Sequence, residues 1–541
     1  MAEVRGARVA ATTLALAAAA AVIGLPVLRL AATTMEHGPT ALVGALGGPL
    51  AARAVANSLW TAAAIAALAV AAGTAAALVT ERVAGGGRRW LRAGMLVPLL
   101  IPPFVLALGW TRAFGPRGYL DQAVGVELPG LYGPLGIVLV VAVAAAPVAY
   151  LIVAAALASR VEPDLERAAR MSGAGRLTVL RTVTLPLLRP ALLGATVVAF
   201  IFGLNAFGVP AVLGAPAAFG TITTRLYQDL AFSASDAAFE RATALATSLV
   251  VVAVVVVGAA DALLGGRRAA RTGLPAGGGG GQAGRLGVAI LAVAIVVVTA
   301  LPALALLATA VTRAVGLPPV PANWTLDNFG EALDVRTVGA IGRSLLLSSA
   351  AATIVLGLAA LVLAGVRRGP GRLAGTAVTL GFAVPGSALA IAVLLAWGGV
   401  LRDTLAIILV AYVAKFWALG HRQLAGSVDA LPADLVRAAR ASGARPLVVL
   451  RTITLPILRP SILAAWFLVV ISGLHELTMS SLLYGPGTST LAVAVINVQQ
   501  LGDPTVTASL AVLLTALVAL PALPLLWLGR ARAIGSAGAA G

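Results

Sequence analysis

Residues 164–190 read DLERAARMSGAGRLTVLRTVTLPLLRP, and residues 434–460 read DLVRAARASGARPLVVLRTITLPILRP. The copies are offset by 270, as Gly443 − Gly173 gives, and most positions are identical. Both follow one plan. A proline, Pro163 or Pro432, precedes an aspartate, Asp164 or Asp434, of the type that caps a helix N-terminus. A short helix is expected from there to Gly173 or Gly443, residues suited to ending it because glycine accepts positive φ. A second helix is expected to follow and to stop at Pro186 or Pro456. Arg167/Arg170 and Arg437/Arg440 then share a face at i, i+3 spacing. A string this long occurring twice marks a chain built from two related halves.

Outward from each copy the sequence turns apolar. Of the 541 residues 60% are hydrophobic and only 11% are charged. Soluble cores cannot hide that much apolar surface, so the bilayer must serve as solvent. Spanning runs are expected near 9–31, 54–79, 94–112, 134–158, 191–214 and 241–264. A second set is expected near 286–312, 339–366, 373–398, 404–421, 461–484 and 506–529. The expected fold is all-α and polytopic, with about twelve transmembrane helices arranged as two parallel six-helix repeats. The halves are 1–264 and 286–541, joined by a Gly/Arg-rich linker, 265–285, that contains the glycine run 277–281. The first apolar run follows Arg5 and Arg8 and is long enough to span, so it reads as a retained helix; cleavage near Ala31 or Ala32 is the alternative.

Arginine sets the orientation. With the N-terminus inside, 27 arginines fall on the inner side and 10 on the outer, as the positive-inside rule requires. Both repeated loops, about 160–190 and 422–460, lie on the inner side with both termini, because an even number of spans separates them. Two equivalent elements on one face predict a partner with two equivalent sites. The net charge of +18 follows from this topology, and no basic face with interleaved aromatics suggests nucleic acid. Cysteine is absent, and His37, His421 and His475 have no metal-ligand spacing.

The pattern Ala-Ala-x-x-x-Gly, followed after eleven residues by Leu-Pro, resembles the EAA loop of ABC importer permeases. Ala168, Ala169, Gly173, Leu185 and Pro186 match in the first half; Ala438, Ala439, Gly443, Leu455 and Pro456 match in the second. The resemblance implies that each loop forms a coupling helix seated in a groove of an ATPase subunit. Arg167 and Arg437 occupy the family's Glu position, although Glu166 adjoins the first. External WTLDNF, Trp324 to Phe329, and Asn57-Ser58-Leu59 are similar to the entries of permease halves. NAFGVPAVLG, from Asn205, and HELTMSSLLYGPGTSTLAV, from His475, resemble ferric-iron-type permeases; thiamine, polyamine and aminoethylphosphonate permeases are close alternatives.

Lys415 is the chain's one lysine, and its context, AYVAKFWALG, excludes a GxxxxGK[ST] phosphate loop. The resemblance therefore implies two copies of a separate ABC ATPase, which would carry the ATP, and an extracytoplasmic substrate-binding protein; this chain is expected to bind no cofactor or metal. The 270 offset pairs Asn205 with His475 and Ala206 with Glu476. Ionisable groups at membrane depth mark pathways or buried partners, so Asn205, His475 and Glu476 are the candidate path residues. Lys415 is expected to snorkel toward the boundary. An ion-coupled secondary transporter with two parallel halves is the rival reading; a membrane enzyme would need a cluster of acid, base or metal groups, which the sequence lacks.

Overall fold

The computed structural model describes residues 2–36, 38–83, 88–161, 163–233, 235–264, 282–365 and 384–538. Among these, ten helices are long and apolar enough to cross a membrane. They are Thr12–Glu36, Pro49–Arg82, Pro134–Arg160, Arg176–Leu204, Asp236–Ala259, Gly284–Ala310, Val335–Leu363, Leu405–Asp429, Pro446–Leu474 and Pro504–Ala522. The run expected at 94–112 is a pair, Arg88–Leu100 and Pro103–Val124, bent by 104°. Pro102, a residue with no N–H to give, stands at the break. Of the span expected at 373–398, residues 373–383 lie outside the described residues; the remainder begins the helix Gly386–Leu401. The protein is an all-α polytopic membrane protein.

Two expectations need correction. The fifth and eleventh spans are not at 191–214 and 461–484 but start about 15 residues earlier, at Arg176 and Pro446. The cause is that Pro186 and Pro456 do not stop their helices. Each sits just after a widened π turn, Leu180–Thr184 or Leu450–Thr454. That turn is closed by the Leu185 N–H on the Leu180 carbonyl and by the Leu455 N–H on the Leu450 carbonyl. The wider ring makes room for proline without breaking the rod.

The described residues gather into two compact units that do not follow chain order. One draws on Met1–Pro39, Leu333–Asn497 and Ala516–Gly541, the other on Thr40–Ala332 and Val498–Thr515. In the first unit, Thr12–Glu36 lies against the second half's helices, and Trp397 donates its indole N–H to the Ala21 carbonyl at 3.2 Å. In the second, Gly284–Ala310 lies against the first half's helices, and Trp110 donates to the Val298 carbonyl at 3.1 Å. The first span of each half thus serves the other half's unit.

Small residues let the helices approach closely, as membrane packing favours. A Cβ on Gly73 would fall 2.7 Å from the Tyr150 nitrogen; one on Gly420 would fall 2.5 Å from Val355 Cγ1. Polar side chains join the second span of each half to the start of a later helix, Ile222–Ala231 or Leu491–Leu501. Ser58 Oγ accepts the Ile222 N–H at 2.8 Å, and Ser344 Oγ accepts the Leu491 N–H at 2.8 Å. Asn328 of the WTLDNF stretch is buried and donates to the carbonyls of Ala310 and Thr312, closing the end of Gly284–Ala310.

Candidate functional site

The repeated loops fold alike. The first forms the helix Pro163–Met171 and the second Ala433–Ala441. Gly173 has φ +86° and Gly443 φ +81°. The Gly173 N–H bonds the Arg170 carbonyl at 3.0 Å, and the Ala174 N–H bonds the Ala169 carbonyl at 3.1 Å. The second loop repeats both bonds at 3.1 Å, Gly443 to Arg440 and Ala444 to Ala439. This is a Schellman ending, which satisfies the last carbonyls only if the glycine position turns left-handed. Ala169 and Ala439 carry the accepting carbonyls, so the alanines and glycines shared by the copies belong to one device.

Asp164 and Asp434 are not the caps they were expected to be. Pro432 occupies the cap position of the second helix, and both aspartates lie in the first turn, where the helix dipole favours a carboxylate. Each pairs with the arginine three residues on: Asp164 with Arg167 at 2.9 Å and Asp434 with Arg437 at 2.5 Å. All four side chains are exposed, so these pairs add little stability. Leu165, Met171 and Leu435 are exposed beside them, and Ala168 and Ala438 lie open. The helices therefore present arginine and apolar side chains outward. Leu185 and Leu455 follow the π turns inside the spans Arg176–Leu204 and Pro446–Leu474, and Pro186 and Pro456 come next.

The helix Pro163–Met171 is tied inward by a residue that the repeated motif does not include. Glu166 is 7% exposed; it accepts the Thr184 hydroxyl at 2.8 Å and stands 3.4 Å from Arg82 Nε. Arg82 also donates to the Val161 carbonyl at 2.9 Å, at the end of Pro134–Arg160. Through its ion pair and this hydrogen bond, Arg82 joins the helix Pro163–Met171, the end of Pro49–Arg82 and the end of a third helix. Val436 replaces Glu166 in the second copy. That Glu/Val difference between otherwise similar copies was the available signal.

The path candidates gather at the helix breaks. Asn205 and His475 are the C-caps of Leu185–Leu204 and Leu455–Leu474, with N–H groups on Ile201 at 3.0 Å and on Ile471 at 3.1 Å. Glu476 is turned onto the start of the next helix, Thr478–Leu483. Its carboxylate accepts the Met479 N–H at 2.9 Å, the Ser480 N–H at 3.0 Å and the Ser480 hydroxyl at 3.2 Å. In the first half Ala206 stands at this place, and Pro210, at the position of Ser480, has no N–H to cap. The difference in charge between halves therefore matches a difference in backbone donors. Lys415 does not snorkel outward: it is partly buried and donates to the Val384 carbonyl at 2.7 Å. Tyr412, one turn away, shares a 2.8 Å hydrogen bond with Ser480. Among the described residues no group of three His, Cys, Asp or Glu could hold a metal.

The family described as binding-protein-dependent transport system inner membrane component matches residues 69–268 and 357–531. The ferric transport system permease protein FbpB of Actinobacillus pleuropneumoniae is 33% identical over 203 residues, 37% of this chain and 29% of that protein. The Fe(3+)-transport system permease protein FbpB 2 of Haemophilus influenzae is 24% identical over 491 residues, 87% of this chain and 89% of that protein. The molybdenum transport system permease protein ModB of Mycobacterium tuberculosis is 35% identical over 164 residues, 30% of this chain and 61% of that protein.

Proposed function

The chain belongs to the family of binding-protein-dependent transport system inner membrane components, and from that premise we propose that it is the fused membrane subunit of an ATP-driven importer in the cytoplasmic membrane. Both termini and both coupling loops face the cytoplasm, as the arginine distribution favours. Two copies of a separate ATPase dock under the helices Pro163–Met171 and Ala433–Ala441 and carry the ATP; an extracytoplasmic protein delivers the solute. Residues 1–264 and 286–541 are its permease halves. The observation that carries this reading is the pair of outward-facing helices with one Schellman ending, repeated on 27-residue strings 270 residues apart.

Closure of an ATPase dimer draws two such helices together; because the dimer binds the open and closed arrangements unequally, it shifts the equilibrium between them. The solute then passes by Asn205, His475 and Glu476 at the helix breaks. Ferric iron or a related small solute is the substrate that the full-length FbpB similarity favours, with thiamine, polyamine and aminoethylphosphonate as alternatives from motif resemblance. Reconstitution in vesicles with a candidate ATPase tests the reading: uptake is expected only with ATP and the ATPase. Uptake by the chain alone, driven by an ion gradient, would establish the secondary-transporter rival instead.

A further inference from the structure

At the end of Pro49–Arg82 remote from Glu166, a cavity of about 370 Å3 opens within the unit that holds Thr40–Ala332. Arg53 and Arg82 are 29 residues apart on that helix (82 − 53), about 43 Å at 1.5 Å per residue. The cavity thus lies on the face opposite the first coupling loop. Its polar side chains come from Arg53, Asn57, Thr224, Arg225, Tyr227, Gln228 and Gln500.

The charge balance of that lining is one-sided. Among the described residues no carboxylate lines the cavity. Asp229, the partner of the lining residue Arg225, is 3% exposed and engaged by two guanidiniums, Arg225 at 2.9 Å and Arg241 at 3.1 Å. Arg225 is thereby fixed in place. Arg53 is exposed and makes no ion pair among the described residues. Asn57 gives its amide N–H to the Gly220 carbonyl at 2.9 Å, which holds the wall and leaves its side-chain oxygen as the only acceptor it offers. A bare multivalent cation meets two guanidiniums here and no carboxylate, the reverse of an oxygen-ligand site. A small oxyanion meets planar, multiply donating groups that match its oxygens. The volume lies at the small end of ligand cavities and suits a small solute.

We propose that this cavity is the entry site for an anionic solute, an oxyanion or a small metal complex of net negative charge, with Arg53 as the contacting guanidinium and Arg225 as the fixed one. The binding claim stands on the cavity; its meaning as a substrate site rests on the importer reading. It deepens that reading by assigning the solute a charge: iron, if carried, enters as an anionic complex.

The test is equilibrium dialysis of the full chain in lipid nanodiscs against labelled molybdate, sulfate, phosphate and ferric citrate, each alone. Wild type is expected to bind at least one of the four saturably, one per chain, with Kd below about 1 mM. Arg53→Gln is expected to weaken binding at least about tenfold, with partial recovery in Arg53→Lys and weakening as salt rises. Arg53 is exposed and carries no ion pair among the described residues, so these variants should fold. Oxyanion binding without ferric citrate binding identifies a free oxyanion; the converse identifies a metal complex. No saturable binding by any probe, or binding unchanged in Arg53→Gln, overturns the site. So does an Arg53→Gln chain that loses affinity for the extracytoplasmic protein but keeps anion binding, since the patch is then a protein dock. ATPase co-purification on the same wild-type preparation separates the two claims: its loss refutes the importer reading, whereas failed dialysis with intact co-purification refutes only the anion site.

Discussion

Arg82 Nε stands 3.4 Å from Glu166 Oε2, so the end of a membrane-spanning helix and the loop helix Pro163–Met171 are joined through a largely buried ion pair. Under the proposed importer reading, this link carries motion of Pro163–Met171 to Pro49–Arg82 without passing through a loop. Thr184 adds a second tie, to the helix that leads to Asn205.

Glu166→Ala should therefore do two things. It leaves Arg82 without its carboxylate, at a cost of about 3 kcal/mol by the measure of broken buried pairs. It should also lower transport per ATP hydrolysed, because docking persists while the link is cut. Val436→Ala, at the matching position of the second loop, should leave that ratio unchanged. Vesicle transport measured alongside ATP hydrolysis compares the two; equal ratios in both variants would deny the link.

Ser58 and Ser344 play one part in two units. Each hydroxyl accepts the first N–H of a helix, that of Ile222 or Leu491. Replacing either by alanine orphans a buried donor and should cost about 1–3 kcal/mol. Thermal unfolding in detergent should show similar losses for Ser58→Ala and Ser344→Ala, and their sum in the double variant, since the sites share no partner.

Glu476 holds three donors at the start of Thr478–Leu483, and charge-assisted bonds of this kind are worth about 2 kcal/mol. Glu476→Gln should lower thermal stability on that scale. Its place on the proposed path adds a second expectation: transport per folded molecule should also fall. Full transport per folded molecule would reduce Glu476 to a helix cap.

Asp334 supplies a pH-dependent cap. It accepts the Thr337 N–H at 2.7 Å at the start of Val335–Gly365, and this hydrogen bond holds its carboxyl below the ordinary range. A depressed folded value contributes stability above the unfolded carboxylate range and loses it as pH falls through the folded value. Asp334→Ala should cost about 1 kcal/mol at neutral pH. The gap between wild type and variant should close in acid, as melting curves across pH would show.

Much of this was legible beforehand, and the exceptions have physical causes. The repeated string foretold two helices ended by Gly173 and Gly443, because a left-handed glycine is a local requirement that sequence carries directly. Apolar runs foretold the membrane class for the same reason. The fifth and eleventh spans were misplaced because proline reads as a stop, whereas a π turn ahead of Pro186 and Pro456 absorbs it. The apolar residues after Asn205 then drew the expected span too far along the chain. The exchange of first spans, marked by Trp110 on Val298 and Trp397 on Ala21, depends on tertiary contacts between distant segments, and no local pattern announces it. Glu166 was visible only as a neighbour of the motif, and its burial depends on Arg82, 84 positions away (166 − 82).

The most direct test concerns the glycines. A Cβ on Gly173 or Gly443 would meet nothing within 4 Å, so alanine there strains only the left-handed backbone, at about 1–2 kcal/mol. The measurement is co-purification of the detergent-solubilised chain with its candidate ATPase, in wild type, in the double alanine variant and in the double tryptophan variant. Two ATPase copies per wild-type chain, retained at reduced yield with alanine and lost with tryptophan, are the predicted result. ATPase binding that survives tryptophan at both glycines, or a chain that transports with no ATPase bound, would contradict the account.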